Sequence, residues 1–317
     1  MGKKITERQV IGWYFMKLAA LSGMGWVNAI SNIFGSDQSS ETYPWIGTSP
    51  VMRQWIGGRN VKEFKENYLT IRNILYEATI KFLVSELRRD KTGQVMTRIN
   101  ELASRSNSHW ASLLSTLILS GPSTVCYDGQ FFFDTDHSEG ASGTQSNDLL
   151  IDISVLPAEN AGSITVPSVE EMQLCIMQAI TAIVGFKDDQ GEPMNEDALK
   201  FIVMTPMSLW PMAVNAAATP QQVSASQTAL EGLKQQGLSI EIVPNARLSS
   251  WTSSFAVFRA DSDVKPLIRQ EETDVDLKVK GEGSEYEFDN NAHQYGIDSS
   301  RGAGLGRWQG SCLVTME

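Results

Sequence analysis

The stretch Tyr-Asp-Gly-Gln-Phe-Phe-Phe-Asp-Thr-Asp-His, residues 127–137, directly follows a long helical pattern. Asp134, Asp136 and His137 carry side chains that ligate hard or borderline cations. Aspartate in a turn also caps nearby backbone N–H groups, and the chain holds only three histidines and three cysteines that could complete a metal site. The residues therefore favour an ordered turn. A metal-dependent hydrolase that uses Asp134, Asp136 and His137 is the alternative.

The preceding helical pattern is the clearest in the chain. Between Met96 and Leu117, apolar residues recur at spacings of three, four or seven, which is typical of a helix with one buried face. Thr92 is a candidate N-cap, and Gly121–Pro122 ends the pattern. About 28 residues at 1.5 Å each predict a rod of ~42 Å. His109 lies on this rod as a single histidine, which is more typical of a packed or surface residue than of a metal ligand.

The other patterns predict a mixed α and β protein. Residues 76–82 alternate apolar and polar side chains, which indicates a strand, and residues 61–71 are its predicted hairpin partner. An ordinary strand within a core sheet is the alternative for this region. The order of strands and helices after it indicates a sheet flanked by helices. The predicted elements are a helix from Val169 to about Gly185, a helix within Pro206–Ala218, and strands at Lys200–Thr205, 239–243, 255–258 and 275–279.

Glycines divide the two ends of the chain. In residues 5–34, Gly12, Gly23 and Gly25 interrupt any helix, and each costs about 1 kcal/mol there relative to alanine. We expect at best a broken helix, in an N-terminal arm ordered by other copies of the chain. The Gly-Ala-Gly-Leu-Gly run at 302–306 lacks the following helix and acidic residue of a dinucleotide site. It predicts a sheet position where backbones approach closely.

Three blocks of sequence resemble a known family. They are the 127–137 stretch, Tyr43–Pro50 with Arg53-Gln54-Trp55, and Tyr295-Gly296 with the 301–310 run. In this order, they resemble the Mu-like phage major head subunits, the gpT family. The resemblance implies an α+β fold of the Hong Kong 97 capsid type. It places an N-terminal arm at 1–46, an extended β-hairpin loop at 47–86, the long spine helix with part of the peripheral domain at 87–165, a mixed α/β axial domain at 166–262, and the return strands of the peripheral domain at 263–317.

The same resemblance implies a structural role and no enzymatic one, with no cofactor and no bound metal. Copies of the chain are expected to form pentamers and hexamers of an icosahedral shell around double-stranded DNA, assembled in the host bacterial cytoplasm and found in the virion. A maturation protease, a portal and decoration proteins are the expected partners. Only about forty residues precede Tyr43, too few for a folded scaffolding domain, so a separate scaffolding protein is also expected.

Residues 43–60 combine turn-forming proline and glycine with two tryptophans. Large aromatic side chains are costly to leave in water, and aromatic and arginine side chains dominate the energetics of protein interfaces. We therefore predict Trp45, Arg53, Trp55 and Arg59 as candidate inter-subunit interface residues.

Charge is split between the two parts of the chain. Residues 1–100 hold 14 Lys and Arg against 8 Asp and Glu, a net charge of +6, whereas the remainder holds 12 against 29, a net of −17. Such asymmetry indicates a partner of opposite charge. We favour a neighbouring copy as this partner, because the lysines and arginines are widely spread along the chain. A nucleic-acid-binding module is the alternative. The sequence contains no run of eighteen apolar residues, so it predicts no membrane span.

Overall fold

The computed structural model describes residues 5–20, 24–43, 68–89, 93–158, 161–218 and 237–317. Within these ranges, the helices are α1 (Glu7–Ala20), α2 (Gly25–Ile30), α3 (Val84–Arg89), α4 (Gln94–Ser120), α5 (Val169–Gly185), α6 (Trp210–Ala218) and α7 (Glu285–Asn290). The strands are β1 (Ser31–Gly35), β2 (Ser40–Tyr43), β3 (Leu69–Arg72), β4 (Ile74–Leu83), β5 (His137–Ser138), β6 (Thr144–Gln145), β7 (Asp148–Ile151), β8 (Lys200–Thr205), β9 (Ser239–Pro244), β10 (Ser254–Arg259), β11 (Leu267–Lys280), β12 (Ala292–Leu305) and β13 (Ser311–Met316).

The predicted long helix is confirmed as α4. It has 27 residues, so it is about 40 Å long. It begins after Gly93, whose φ of +74° is the left-handed conformation that glycine adopts readily; the predicted cap, Thr92, lies outside the described residues. The helix ends at Ser120, directly before Gly121 and Pro122. One face of α4 is buried, including Ile99, Trp110 and Leu114, as its periodicity predicts.

One side of α4 packs against a four-stranded sheet of order β1-β11-β12-β4. The strand predicted at 76–82 is confirmed as β4, whereas most of its predicted hairpin partner, residues 61–67, lies outside the described residues. The strand β4 pairs with β12 over ten residues, because Phe82 and alternate apolar residues of β4 bury against the same core as Tyr295 of β12. The described part of the predicted partner strand, β3, pairs instead with β2.

A second sheet has the order β7-β13-β10-β8-β9, and α5 and α6 pack together beside it. The predicted strands β8, β9 and β10 and both predicted helices are confirmed. Among the predicted return strands at 263–317, β11 and β12 belong to the first sheet, whereas β13 lies between β7 and β10 in this second sheet; the bounds of the peripheral domain stay a prediction. In β13, Cys312, Leu313 and Val314 are all buried, and a strand that is apolar on both faces belongs in the middle of a covered sheet.

The described N-terminal residues pack against other parts of their own chain, and the expected arm at 1–46 stays a prediction. Val10 and Tyr14 of α1 are each 1% exposed and share a core with α4. Gly12 does not break α1, because these two buried side chains supply the packing that overrides a weak helix propensity. Further along, β1 pairs in parallel with β11.

The glycines of β12 allow β3 to cross directly over that strand, which confirms the predicted close approach of backbones. A Cβ atom on Gly302 would lie 2.6 Å from the carbonyl oxygen of Arg72, and one on Gly304 would lie 2.5 Å from Cδ1 of Ile71. The strand is followed by a 3-10 turn at Trp308–Gly310 and then by β13. The glycine run therefore makes room for a neighbouring strand.

Replacing Gly302 by alanine should destabilise the fold by about 1–3 kcal/mol, the usual range for overpacking a dense interior, because the obstructing atom belongs to the backbone and cannot rotate away. Urea unfolding of the purified subunit measures this. Gly35→Ala is a matched control in β1, since nothing lies within 4 Å of its added methyl group. Equal unfolding midpoints for the two variants would contradict the close packing of β3 on β12.

Candidate functional site

The turn after α4 holds its first aspartate as a cap for backbone groups. The Asp134 carboxylate accepts hydrogen bonds from the backbone N–H groups of Phe131 at 3.0 Å and Thr135 at 2.7 Å. Burial works to raise the pKa of Asp134, but these N–H donors, a side-chain hydrogen bond with Asp136 and the nearby His137 together outweigh it and lower that pKa. This is the structural role that turn chemistry predicted.

His137 is fully buried and held on three sides. Its Nδ1 atom lies 2.7 Å from the carboxylate of Asp128 and its Nε2 atom lies 3.1 Å from the side-chain oxygen of Asn147. Its ring stacks on Trp308, with centroids 3.9 Å apart and planes 10° from parallel. We call these four residues, His137, Asp128, Asn147 and Trp308, the histidine joint.

Asn147 connects the histidine joint to the turn. Its amide group donates to the carbonyl of Phe132 at 2.8 Å, and its side-chain oxygen also accepts from the backbone N–H of Asp134 at 2.9 Å. Its own carbonyl accepts from the N–H of Leu313 in β13. The joint therefore ties the end of α4 to the C-terminal strand of the second sheet.

This geometry leaves the alternative metal site without support. Both ring nitrogens of His137 already face oxygen atoms of other residues, and the carboxylate of Asp134 is engaged by backbone donors. Across the described ranges, no group of three or more His, Cys, Asp or Glu is placed to hold a metal ion. The three cysteines are unpaired and buried.

The other two histidines have separate surroundings. His109 of α4 lies edge-on to Tyr76 of β4, with ring centroids 4.4 Å apart. Burial, and then the nearby Arg301 and Arg247, lower the pKa of His109. His293 of β12 lies 3.0 Å from a carboxylate oxygen of Glu287. Each histidine packs between elements of the fold, as expected for single histidines.

Sequence reasoning missed three members of the histidine joint. Asp128 and Trp308 lie within the quoted sequence blocks, yet nothing in their spacing indicates that they meet across residues 128–308. Asn147 lies in a polar loop and carries no pattern at all. Only the fold brings these side chains together, since β13 returns beside β7.

The predicted interface residues Trp45, Arg53, Trp55 and Arg59 lie outside the described residues. The strands on either side of them, β2 and β3, are described and pair with each other from Ser40↔Arg72 to Tyr43↔Leu69. Tyr43 and Leu69, which flank this part of the sequence, therefore lie side by side. Among the helices of the described ranges, none is long and apolar enough to cross a bilayer.

Comparisons with known proteins agree with the predicted resemblance. Residues 15–152 match the family described as Mu-like prophage major head subunit gpT. The Mu-like prophage FluMu major head subunit of Haemophilus influenzae is 30% identical over 118 residues, which are 37% of this chain and 38% of the relative. The major capsid protein of Escherichia phage Mu is 28% identical over 110 residues, 35% of this chain and 36% of the relative. The matched segments thus span well under half of either relative.

Solved structures resemble the chain over nearly its whole length. The procapsid subunit of bacteriophage JBD30 covers 97% of this chain and is itself covered to 73%, with a TM-score of 0.57 and 20% identity. The capsid subunit of cyanophage P-SCSP1u covers 93% of this chain and is itself covered to 88%, with a TM-score of 0.56 and 11% identity. The match of residues 15–152 thus confirms the resemblance to the Mu-like major head subunits, and the chain has the Hong Kong 97-like capsid fold that this resemblance implied.

Proposed function

We propose that this chain is the major head subunit of a Mu-like tailed phage or prophage, and that it assembles into pentamers and hexamers of an icosahedral shell around double-stranded DNA. The observation that carries the proposal is the agreement of its fold with phage capsid subunits over 97% of the chain. The family match of residues 15–152 supports the same role. The role is structural, and nothing in the histidine joint favours a catalytic one.

Assembly follows from contacts between unlike surfaces of identical subunits. Such heterologous contacts close into rings where the rotation between subunits allows it, and many weak contacts together give high avidity. The basic first hundred residues and the acidic remainder, with net charges of +6 and −17, favour attraction between copies. The net negative charge of the whole chain also disfavours tight adhesion of packaged DNA. The proposal therefore includes enclosure of DNA without sequence-specific binding.

The other partners are proposed from the resemblance. A separate scaffolding protein would guide the copies, a maturation protease would act on the assembled head, and a portal would occupy one vertex; decoration proteins are a further proposed partner. Assembly is proposed to take place in the host bacterial cytoplasm, with the finished subunit in the virion.

Electron microscopy of the expressed full-length chain tests the proposal. The chain should be expressed alone and together with the proteins encoded beside its gene, and the products separated by size. We expect closed shells or free rings of five and six subunits. A product that stays monomeric under every such condition would overturn the proposed function.

The four predicted interface residues give a sharper prediction. Replacing Trp45 and Trp55 by alanine, or Arg53 and Arg59 by alanine, should abolish shells while leaving a soluble folded subunit. Anchors of this kind each contribute about 2 kcal/mol or more to an interface, and the loss repeats at every contact in the shell. Size-exclusion chromatography and micrographs measure the assembled fraction.

Arg88→Ala is the control for the arginine pair, because Arg88 is an exposed arginine of α3 outside the predicted interface. Shells formed by the tryptophan and arginine double variants at the yield of the unchanged chain would show that these residues are not interface anchors. Unfolding of both double variants in the isolated subunit would assign the residues to the fold instead.

A further inference from the structure

The strands that flank residues 44–67 in the sequence, β2 and β3, form one short ladder. Four residues of β2 pair antiparallel with four residues of β3, and the hydroxyl groups of Thr42 and Thr70 lie 3.2 Å apart across them. A two-stranded ladder of this length is marginally stable by itself. Its orientation on the subunit therefore depends on what lies beneath it.

Two glycines of β12 lie beneath this ladder. Gly302 and Gly304 of β12 leave no side chain between that strand and β3, so Ile71 and the backbone of Arg72 rest directly on them. These two glycines set the distance between the ladder and the sheet. Glycine has no side chain that could form a directional contact, however, so the glycines alone do not fix the orientation of the ladder.

A buried glutamine makes the directional contacts that orient the ladder. Gln270 of β11 is fully buried, and its side-chain oxygen accepts a hydrogen bond from the hydroxyl of Tyr43 at 2.8 Å. Its amide nitrogen donates to the carbonyl of Ile71 at 3.3 Å and to the side-chain oxygen of Asn73 at 2.8 Å. One side chain thus holds β2, β3 and the residue that follows β3.

Asn73 extends this network to the other side of the ladder. Its amide nitrogen donates to the hydroxyl of Ser36 at 2.8 Å and to the carbonyl of Gln38 at 2.6 Å. Burial raises the pKa of Tyr43 to about 12, with a smaller contribution from Glu41, so the tyrosine keeps its donated proton at neutral pH. We call Tyr43, Gln270 and Asn73 the root clamp.

We infer that the root clamp fixes the orientation of the β2–β3 ladder on the subunit, and that this orientation, passed on to the predicted interface residues that lie between the two strands in the sequence, sets the curvature of the assembled shell. The inference rests on the proposed function. A satisfied buried polar network specifies one arrangement of the strands it joins, whereas apolar contacts alone hold them at several angles. Because each subunit repeats the same heterologous contact, a small angular error at the root recurs around every ring and changes how the shell closes.

The test compares two tyrosine variants that remove the same kind of bond. Tyr43→Phe deletes the hydroxyl that reaches Gln270 and keeps the ring. Tyr127→Phe is the matched control: both tyrosines are 7% exposed, and the hydroxyl of Tyr127 lies 3.1 Å from a buried glutamine, Gln309, away from the root. Both full-length variants are expressed under the conditions in which the unchanged chain forms shells. Particle diameters are measured by cryo-electron microscopy, and subunit stability by urea unfolding.

We expect similar losses of stability in the two variants but a several-fold larger fraction of open or off-size particles for Tyr43→Phe alone. Particles of unchanged diameter and closure for Tyr43→Phe would overturn the inference. Equally aberrant particles for both variants would overturn it too, since general stability would then control closure. Failure of the unchanged chain to form any shell would instead overturn the proposed function, so the two failures are distinguishable.

Discussion

Replacing Trp308 by alanine should lower the free energy of unfolding by about 3–5 kcal/mol, the usual cost of truncating a buried aromatic side chain. Trp308 is 1% exposed. Its ring stacks on His137 and meets Phe186 edge-on, with centroids 5.1 Å apart. Alanine would leave a cavity beside the imidazole and remove both ring contacts. Urea unfolding of the unassembled subunit, followed by circular dichroism, measures the loss.

Trp210→Ala is the matched control for this substitution. Trp210 lies at the start of α6 and is 37% exposed, so its truncation opens no enclosed cavity and should cost clearly less. If the two alanine variants unfold at the same urea concentration, the histidine joint is not a packed centre of the fold. A normal midpoint for Trp308→Ala with altered shells would assign Trp308 to assembly.

The elements that could be predicted from the sequence are those whose signal is local. The long helix α4 carries a sustained apolar face, and α5 begins at a capping box in which Ser168 accepts from the N–H of Glu171 and the Glu171 side chain accepts from the N–H of Ser168. The strands β8 and β10 are short apolar runs that the second sheet buries except at their first residues. Such patterns predict secondary structure because each is complete within a few residues.

Pairing between distant strands could not be predicted, because nothing local specifies it. The strand β4 alternates as a hairpin strand would, and the sequence does not show that its partner is β12. Likewise, β13 follows β12 closely yet crosses to the other sheet. The parallel pairing of β1 with β11 joins residues more than two hundred positions apart. The order of strands is thus a property of the whole packed core.

The candidate site divides in the same way. Asp134 caps backbone groups one and three residues away, so turn chemistry predicted its role. The partners of His137 lie 9, 10 and 171 positions away, and only the last of them, Trp308, carries an aromatic signature. The residues of the root clamp are equally distant, since Tyr43 meets Gln270 across 227 positions. Long-range polar contacts of this kind are visible only in the folded chain.

Arg259 is the centre of the other large predicted effect. The side chain is almost fully buried at the end of β10, where it donates to Asp261 and Asp197, both at 2.8 Å, and to Asn195 at 2.9 Å. Asp261 in turn accepts from the N–H groups of Leu199 and Lys200 at the start of β8. We expect Arg259→Ala to cost about 1.5–3 kcal/mol of unfolding free energy, the usual range for hydrogen bonds to charged groups, because the buried Asn195 loses its donor while the carboxylates of Asp197 and Asp261 are 77% and 19% exposed and stay partly hydrated. Urea unfolding at pH 7 measures the loss.

Arg105→Ala is the matched control, since Arg105 also pairs with a carboxylate, that of Glu101 at 2.9 Å, but its side chain is 76% exposed. An exposed pair of this kind contributes about 0–1 kcal/mol, so the control should unfold close to the unchanged chain. Similar midpoints for Arg259→Ala and Arg105→Ala would contradict the structural role assigned to Arg259.

Arg259 also makes the free energy of unfolding of the subunit depend on pH. Burial works to raise the pKa of Asp261, but the hydrogen bond and charge of Arg259 and the N–H groups of Leu199 and Lys200 outweigh it and lower that pKa below its usual value of 3.8. A carboxyl group whose pKa is lower in the folded state stabilises the fold above its unfolded pKa, and this contribution is lost as the pH falls through the folded pKa. The unchanged subunit should therefore lose stability as the pH falls below about 4, and Arg259→Ala should show a shallower loss over the same range. Parallel curves of unfolding free energy against pH for the two proteins would show that Arg259 does not hold Asp261 in its ionised form.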